Sequence, residues 1–384
     1  MSETAMLTVD AGCSGTKVIL RQRASTPKLL IMSPEVIEVT RESIDFYLSK
    51  NGITVSAPEN EAWVEYDGTM YAVGFLAQEY FKARVALKDT KYEWAIAKVL
   101  AAVGVMVARE GIEGECDFAI SIPLPYGEWE ARHEFERDLR SALSCFSFRD
   151  KQLKARLVMF ICVPEGGGHA MMLGEKMGEA FRQEKILSLM WGYRDISLVL
   201  FNRGAISGIT EFLGFYQLIE MVTNRTFGQS SREREQMLLE AIHLAGKEIK
   251  TKNFRHLVRS RHPEHKAKEA EQITSATRIC RAEYWAIVAR LLTANIPEDI
   301  NAIVLGGGAV DYYAQELQNA LVQNYPGARI SWAAELQEDV RLTFNLSPTS
   351  KEDRILCARL TDPYGLSIFT KRQVSPYSLP AVSS

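Results

Sequence analysis

Apolar and polar positions along this chain predict short strands broken repeatedly by glycine. Leu7, Thr8 and Val9 read as a strand ending in Asp10. Gly12 and Gly15 bracket a turn, Thr16 and Lys17 follow, and strand character resumes at Val18, Ile19 and Leu20. Lys28 to Glu38 gives another strand and a proline-marked turn. Ala62 to Phe75 alternates around Asp67-Gly68, a favoured type I′ pair, and predicts a hairpin inside a small β-rich insert of about residues 34–85. Tyr92 to Arg109 has helical periodicity and is apolar nearly all round, which predicts a buried helix.

Phe118 to Leu124 and Arg156 to Val163 are buried strands, with a charged amphipathic helix, Glu128 to Leu143, between them. The second strand runs into Pro164-Glu165-Gly166-Gly167-Gly168. Ile186 to Met190, the turn Trp191 to Asp195, Ile196 to Phe201 and Ala205 to Ile209 repeat the opening strand–turn–strand plan, so two related halves facing each other are expected. Residues 211–292 are mostly helical and charged. Ala302 to Leu305 is a buried strand opening into Gly306-Gly307-Gly308-Ala309, followed by a helix over Asp311 to Asn324 and a strand over Arg329 to Trp332. A helix over Lys351 to Arg359 is expected to end before Asp362-Pro363, and the tail from Lys371 reads as disordered.

Composition narrows the function. At 384 residues two or more domains are expected, and a net charge of −3 argues against a dedicated nucleic-acid binder. The six cysteines are scattered with no C-x-x-C, as expected of small hydrophobes in a reducing compartment. No apolar run has the length of a membrane span, and acidic and polar residues interrupt the first fifteen positions, so a cytoplasmic location is expected. Lys247 to Lys268 carries eight Lys or Arg against two Glu and reads as a solvated surface; His262 and His265 lack a partner at zinc-site spacing.

The opening turn has a chemical use. Its glycines let backbone N–H groups approach an anion, Lys17 adds charge for a β- or γ-phosphate, and Asp10 can hold the hydration shell of Mg²⁺. The Walker A spacing is absent and a strand follows instead of a helix. An ordinary hairpin with a surface lysine has the same pattern. What adds weight is that four glycine-bearing turns each follow a buried strand: Asp10–Lys17, Pro164–Gly168, Trp191–Asp195 and Gly306–Ala309.

In that order the chain resembles the actin-like ATPase superfamily of actin, Hsp70-type chaperones and sugar kinases, and looks most like the plasmid-segregating bacterial actins of the ParM type. DAGCSGTK is similar to the first phosphate loop, VPEGGG to the first connecting segment and LGGGA to the adenosine loop, while ARLTDPYGL occupies the place of the second connecting segment. The resemblance implies an α/β, actin-like (duplicated RNase H-like) two-lobed fold with a nucleotide cleft. Domain I would take residues 1–165 plus 366–384, and domain II 166–365 with a helical insert of about 211–298. It implies ATP or GTP with Mg²⁺, whose waters Asp10 would organise. The amides around Gly12 and Gly15, with Thr16 and Lys17, would hold phosphates. Gly192 would open the second phosphate loop, Gly306, Gly307 and Gly308 would lie under the nucleoside, and Glu165 would orient or deprotonate the attacking water.

One departure matters. The aspartate usual before the first glycine of the second loop is replaced by Met190, while Arg194 and Asp195 add charges of their own. Arg194 either contacts phosphate or pairs with Asp195, and slow ATP hydrolysis is expected. The resemblance further implies self-assembly into filaments, with a small DNA-binding adaptor as partner and no direct contact with nucleic acid. A small-molecule kinase of the sugar or acetate type and a non-polymerising nucleotide-dependent adaptor are the competing readings.

Overall fold

The computed structural model describes residues 4–22, 25–51, 56–84, 90–112, 114–226 and 232–374. Two five-stranded sheets carry the fold, and they share one connectivity. In the first, Lys28–Met32, Gly15–Arg21 and Ala5–Gly12 run antiparallel, and Cys116–Leu124 and Ala155–Pro164 then add in parallel. In the second, Ala205–Glu211, Ile196–Asn202 and Lys185–Trp191 run antiparallel, and Ala302–Gly306 and Arg329–Ser331 add in parallel. The two related halves expected from the repeated strand–turn–strand plan are therefore present, strand for strand.

The strand sequences explain the layering. Gly15–Arg21 is buried at every position, as it must be when a sheet is covered on both faces. Parallel neighbours need crossovers, and helices supply them: Arg132–Ser144 links Cys116–Leu124 to Ala155–Pro164. Lys91–Glu110 lays Val99, Leu100 and Val103 against the first sheet. In the second half the fully buried Trp191 stacks on Tyr313, with ring centroids 5.0 Å apart and planes 8° apart. Its indole Nε1–H donates to the Tyr284 hydroxyl at 2.9 Å, which anchors the end of that central strand.

Four expectations change. The β-rich insert is a five-stranded sheet, because Phe146–Phe148 and Lys151–Leu153 join Val36–Val39, Thr69–Val73 and Ala62–Tyr66 from outside the expected span. Strands of three residues are too short to show a period. The helix expected over Glu128 to Leu143 is split into Tyr126–Trp129 and Arg132–Ser144, and that over Asp311 to Asn324 into Gly308–Tyr312 and Ala314–Asn324.

The C-terminal helix does not stop at Arg359 but runs from Lys351 to Val374 with Pro363 inside it. Proline removes one backbone donor, a local cost that burial of Leu360, Tyr364 and Leu366 outweighs. Lys371–Val374 form its last turn; the rest of the tail, 375–384, lies outside the described residues. Among the described residues, no helix is long and apolar enough to cross a membrane.

Candidate nucleotide cleft

The strand ends of both sheets and the C-terminal helix enclose a cavity of about 500 Å³. Of the residues singled out in the sequence, Asp10, Gly12, Lys17, Glu165, Gly192, Arg194, Gly307 and Gly308 line it. Gly15, Thr16 and Gly306 do not. Thr16 is fully buried with its hydroxyl unpartnered among the described residues. A Cβ on Gly306 would lie 2.2 Å from the His169 ring, so that glycine answers to packing behind the strand. Gly307 adopts a φ of 94° and passes so close to Trp191 that a Cβ would meet its carbonyl at 2.3 Å. Gly308 has room for a side chain on its cavity side, the nearest atom being 3.5 Å away on Arg359. The three glycines thus answer three separate demands.

The first turn joins Gly12 to Gly15 as directly paired residues, which places Asp10 opposite Lys17 on adjacent strands. Lys17 Nζ donates to Asp10 Oδ2 at 2.5 Å. Arg359, from the C-terminal helix, reaches across to donate to the carbonyl and the hydroxyl of Ser14, each at 2.9 Å. The second turn is built differently. Gly192 N–H donates to the Asp195 carbonyl, and the carbonyls of Gly192, Tyr193 and Arg194 accept from Phe215, Tyr216 and Gly214.

Lys91, at the start of its helix, carries no sequence signal that distinguishes it from a solvated helix-end lysine. Its side chain is only 3% exposed, and its ammonium bridges Asp10 Oδ1 and Glu165 Oε1 at 2.8 Å each, with the Pro123 carbonyl at 3.3 Å. Burial by itself would raise the Asp10 carboxyl, but Lys17 and Lys91 outweigh it and hold that group far below the usual carboxylate range. Burial would likewise lower Lys91, and Asp10 and Glu165 together keep it firmly protonated. Lys98, whose Nζ donates to the Ala11 carbonyl at 3.2 Å, is pushed down to about 8 by burial.

Arg194 pairs with Asp195, Nε to Oδ2 at 2.8 Å, and spans to Glu128 Oε1 at 2.9 Å. Burial raises the Asp195 carboxyl to about 6, with Glu165 adding to the rise and Arg194 opposing it. Glu165 Oε2 accepts from the Ser197 hydroxyl at 3.4 Å, so a residue of the second sheet touches the carboxylate at the end of the first. Away from this end Phe215, Leu239, Leu244 and Ile355 give the cavity an apolar wall, with His243, Glu240 and Glu352 among them.

The glycine run after Glu165 also serves the helix behind it. Gly166 N–H and His169 N–H, at the N-terminus of the helix Gly167–Met177, donate to the Asp362 carboxylate at 2.9 and 3.2 Å. Asp362 lies in the segment read as the second connecting element, so the two connecting segments meet by direct hydrogen bonds.

Magnesium demands hard oxygen donors in near-octahedral geometry. Both oxygens of Asp10 are held by ammonium groups, Met190 offers a thioether where an oxygen is needed, and no group of three His, Cys, Asp or Glu suited to a metal occurs among the described residues. These residues do not fit an ion held by the protein alone.

No protein-family model matches the sequence, and no curated protein matches it. Solved structures do. A 15-stranded ParM filament from Clostridium botulinum superposes with a TM-score of 0.59 at 14% identity, over 97% of this chain and all (100%) of that one. The archaeal actin homologue Ta0583 gives 0.58 at 14% identity over 96% of this chain and 100% of its own, and has also been solved as a complex with ADP. Bacillus thuringiensis ParM with AMPPNP gives 0.57 at 12% identity over 97% and 100%. The chain has the actin-like two-lobed fold.

Proposed function

We propose that this chain is an actin-like cytoskeletal protein that binds ATP or GTP in the cavity between its lobes, polymerises into filaments and hydrolyses the nucleotide slowly. The observation that carries the reading is the convergence of Asp10, Lys17, Glu165 and the Gly307-Gly308 corner on one cavity of about 500 Å³, within the range of roughly 300–1,000 Å³ usual for small-molecule sites. The structures it resembles include a filament and nucleotide complexes.

In this reading the turn Gly12–Gly15 and Lys17 hold the phosphates, Gly307 and Gly308 support the nucleoside, and Phe215, Leu239 and Ile355 cover the base. Glu165, at the phosphate end, orients the attacking water, so that acceleration comes mainly from position and charge. Magnesium would enter as the counter-ion of the phosphates. Ser197 on Glu165 and Arg194 on Glu128 tie the two lobes together around this point, which gives bound nucleotide a means of setting lobe closure and hence the shape presented to the next protomer. A small DNA-binding adaptor, joining the filament to a plasmid site, is the partner proposed for cargo.

Electron microscopy of the pure protein with ATP, GTP and a non-hydrolysable analogue tests the proposal. Filaments that form with nucleotide and disassemble as it is hydrolysed are expected. Protein that stays monomeric in every nucleotide at high concentration would overturn it.

A further inference from the structure

Lys91 is an unusual residue to find where it is. A cation at the first position of a helix faces the positive end of the helix dipole, and burying its ammonium adds a desolvation cost. Both penalties are offset by the carboxylates of Asp10 and Glu165. The phosphate end of the cavity therefore holds two carboxylates and two ammonium groups, Lys17 being the second, in direct contact. Without Lys91, Asp10 would confront an incoming polyphosphate with Lys17 against it and Glu165 with only the Ser197 hydroxyl.

We propose that Lys91 is a binding residue for the terminal phosphates, a built-in cation that makes nucleotide affinity largely independent of a divalent metal. The inference rests on the nucleotide reading above. Three observations converge on it: both oxygens of Asp10 are occupied by ammonium groups, Met190 faces the cavity without an oxygen, and Asp195 is neutralised by Arg194. The contact from Lys91 to the Pro123 carbonyl is the longest of its three at 3.3 Å, so one N–H can turn to a phosphate oxygen while Asp10 and Glu165 stay paired.

The test is calorimetric titration of the full chain with ATP and with GTP, in excess Mg²⁺ and in EDTA. The wild-type affinity is expected to differ by less than about threefold between the two buffers, under 1 kcal/mol in order of magnitude. Lys91→Met should lose about tenfold or more in EDTA, the loss expected for one charge-assisted contact, with Mg²⁺ recovering most of it. Lys91→Arg keeps the charge and should keep metal-free binding, whether or not the methionine variant folds. Wild-type binding that collapses in EDTA, or a folded Lys91→Met with undiminished EDTA affinity, overturns the proposal and leaves the nucleotide reading standing. Failure of wild-type protein to bind either nucleotide in either buffer overturns both.

Discussion

The Asp362 carboxylate, on the C-terminal helix, accepts the backbone N–H of Gly166, 196 residues earlier, at 2.9 Å and so caps the helix Gly167–Met177. Burial raises its carboxyl to about 7, although the two backbone N–H groups it accepts favour the charged form. A folded-state value above the ordinary 3.8 means that the native protein holds the proton between these limits while the unfolded chain has released it. Stability from this group is full at low pH and is lost as pH rises through that window. Asp362→Asn keeps the shape and one acceptor but cannot titrate. Urea unfolding across the range should show wild type losing ground to the variant as pH rises; parallel curves would remove Asp362 as the source.

Two glycines make the same crossing possible. A Cβ on Gly168 would lie 2.0 Å from the Asp362 carbonyl oxygen, and one on Gly365 would lie 2.7 Å from the Gly168 carbonyl oxygen. Backbone cannot swing aside as a side-chain tip can, so Gly168→Ala must push the helices Gly167–Met177 and Lys351–Val374 apart. A loss of about 1–3 kcal/mol or more is expected from overpacking. Gly127→Ala, with nothing within 4 Å of the added atom, is the control and should be close to neutral. Thermal unfolding of the two variants checks the difference.

Much of this was legible from residues 7–20 and 186–201, because strands buried along most of their length leave strong apolar runs beside glycine turns. Glu165 was legible because it sits between an apolar strand and a glycine run, although that strand, Ala155–Pro164, is a half-buried edge strand and not the buried one expected over Arg156 to Val163. Lys91 was not: a lysine at the head of a helix looks the same in sequence whether it meets water or two carboxylates from other strands. The run to Val374 was hidden by Pro363, whose local preference is overruled by packing against the first sheet and the helix Gly167–Met177. Gly306, read as part of the nucleoside support, instead accommodates His169, a contact between residues far apart in the chain.

Glu165 can be separated from binding. Its two oxygens accept from Lys91 at 2.8 Å and Ser197 at 3.4 Å, and a glutamine amide can keep the first contact through its oxygen and the second through its nitrogen. Glu165→Gln should therefore bind nucleotide nearly as wild type does while turning it over about 10²–10⁴-fold more slowly. Under the filament reading, polymers formed with ATP should then persist. Phosphate release and light scattering measured together decide the matter: unchanged turnover would remove Glu165 from the chemistry.

The last relationship couples the lobes through charge. Arg194, from the turn of the second sheet, holds Glu128 Oε1, and Glu128 Oε2 accepts the N–H of Tyr92 at the start of the helix that carries Lys91. Beside it Tyr126 N–H donates to Thr210 Oγ1 at 3.0 Å, so this point is a latch between the halves. Arg194→Met would leave Asp195 buried without its cation and the half-buried Glu128 with the Tyr92 N–H, and loss of the enclosed Arg194–Asp195 pair costs about 3–5 kcal/mol. The pH dependence is specific. Asp195 already sits at about 6, above its ordinary 3.8, so its contribution falls as pH rises through that interval. Removing Arg194 raises it further and carries the loss to higher pH. The variant should thus be destabilised less at about pH 5, where Asp195 can take up a proton, than at about pH 8. Chemical denaturation of both proteins at the two pH values reads the difference directly, and an equal penalty at both would show that Asp195 does not feel the arginine's charge.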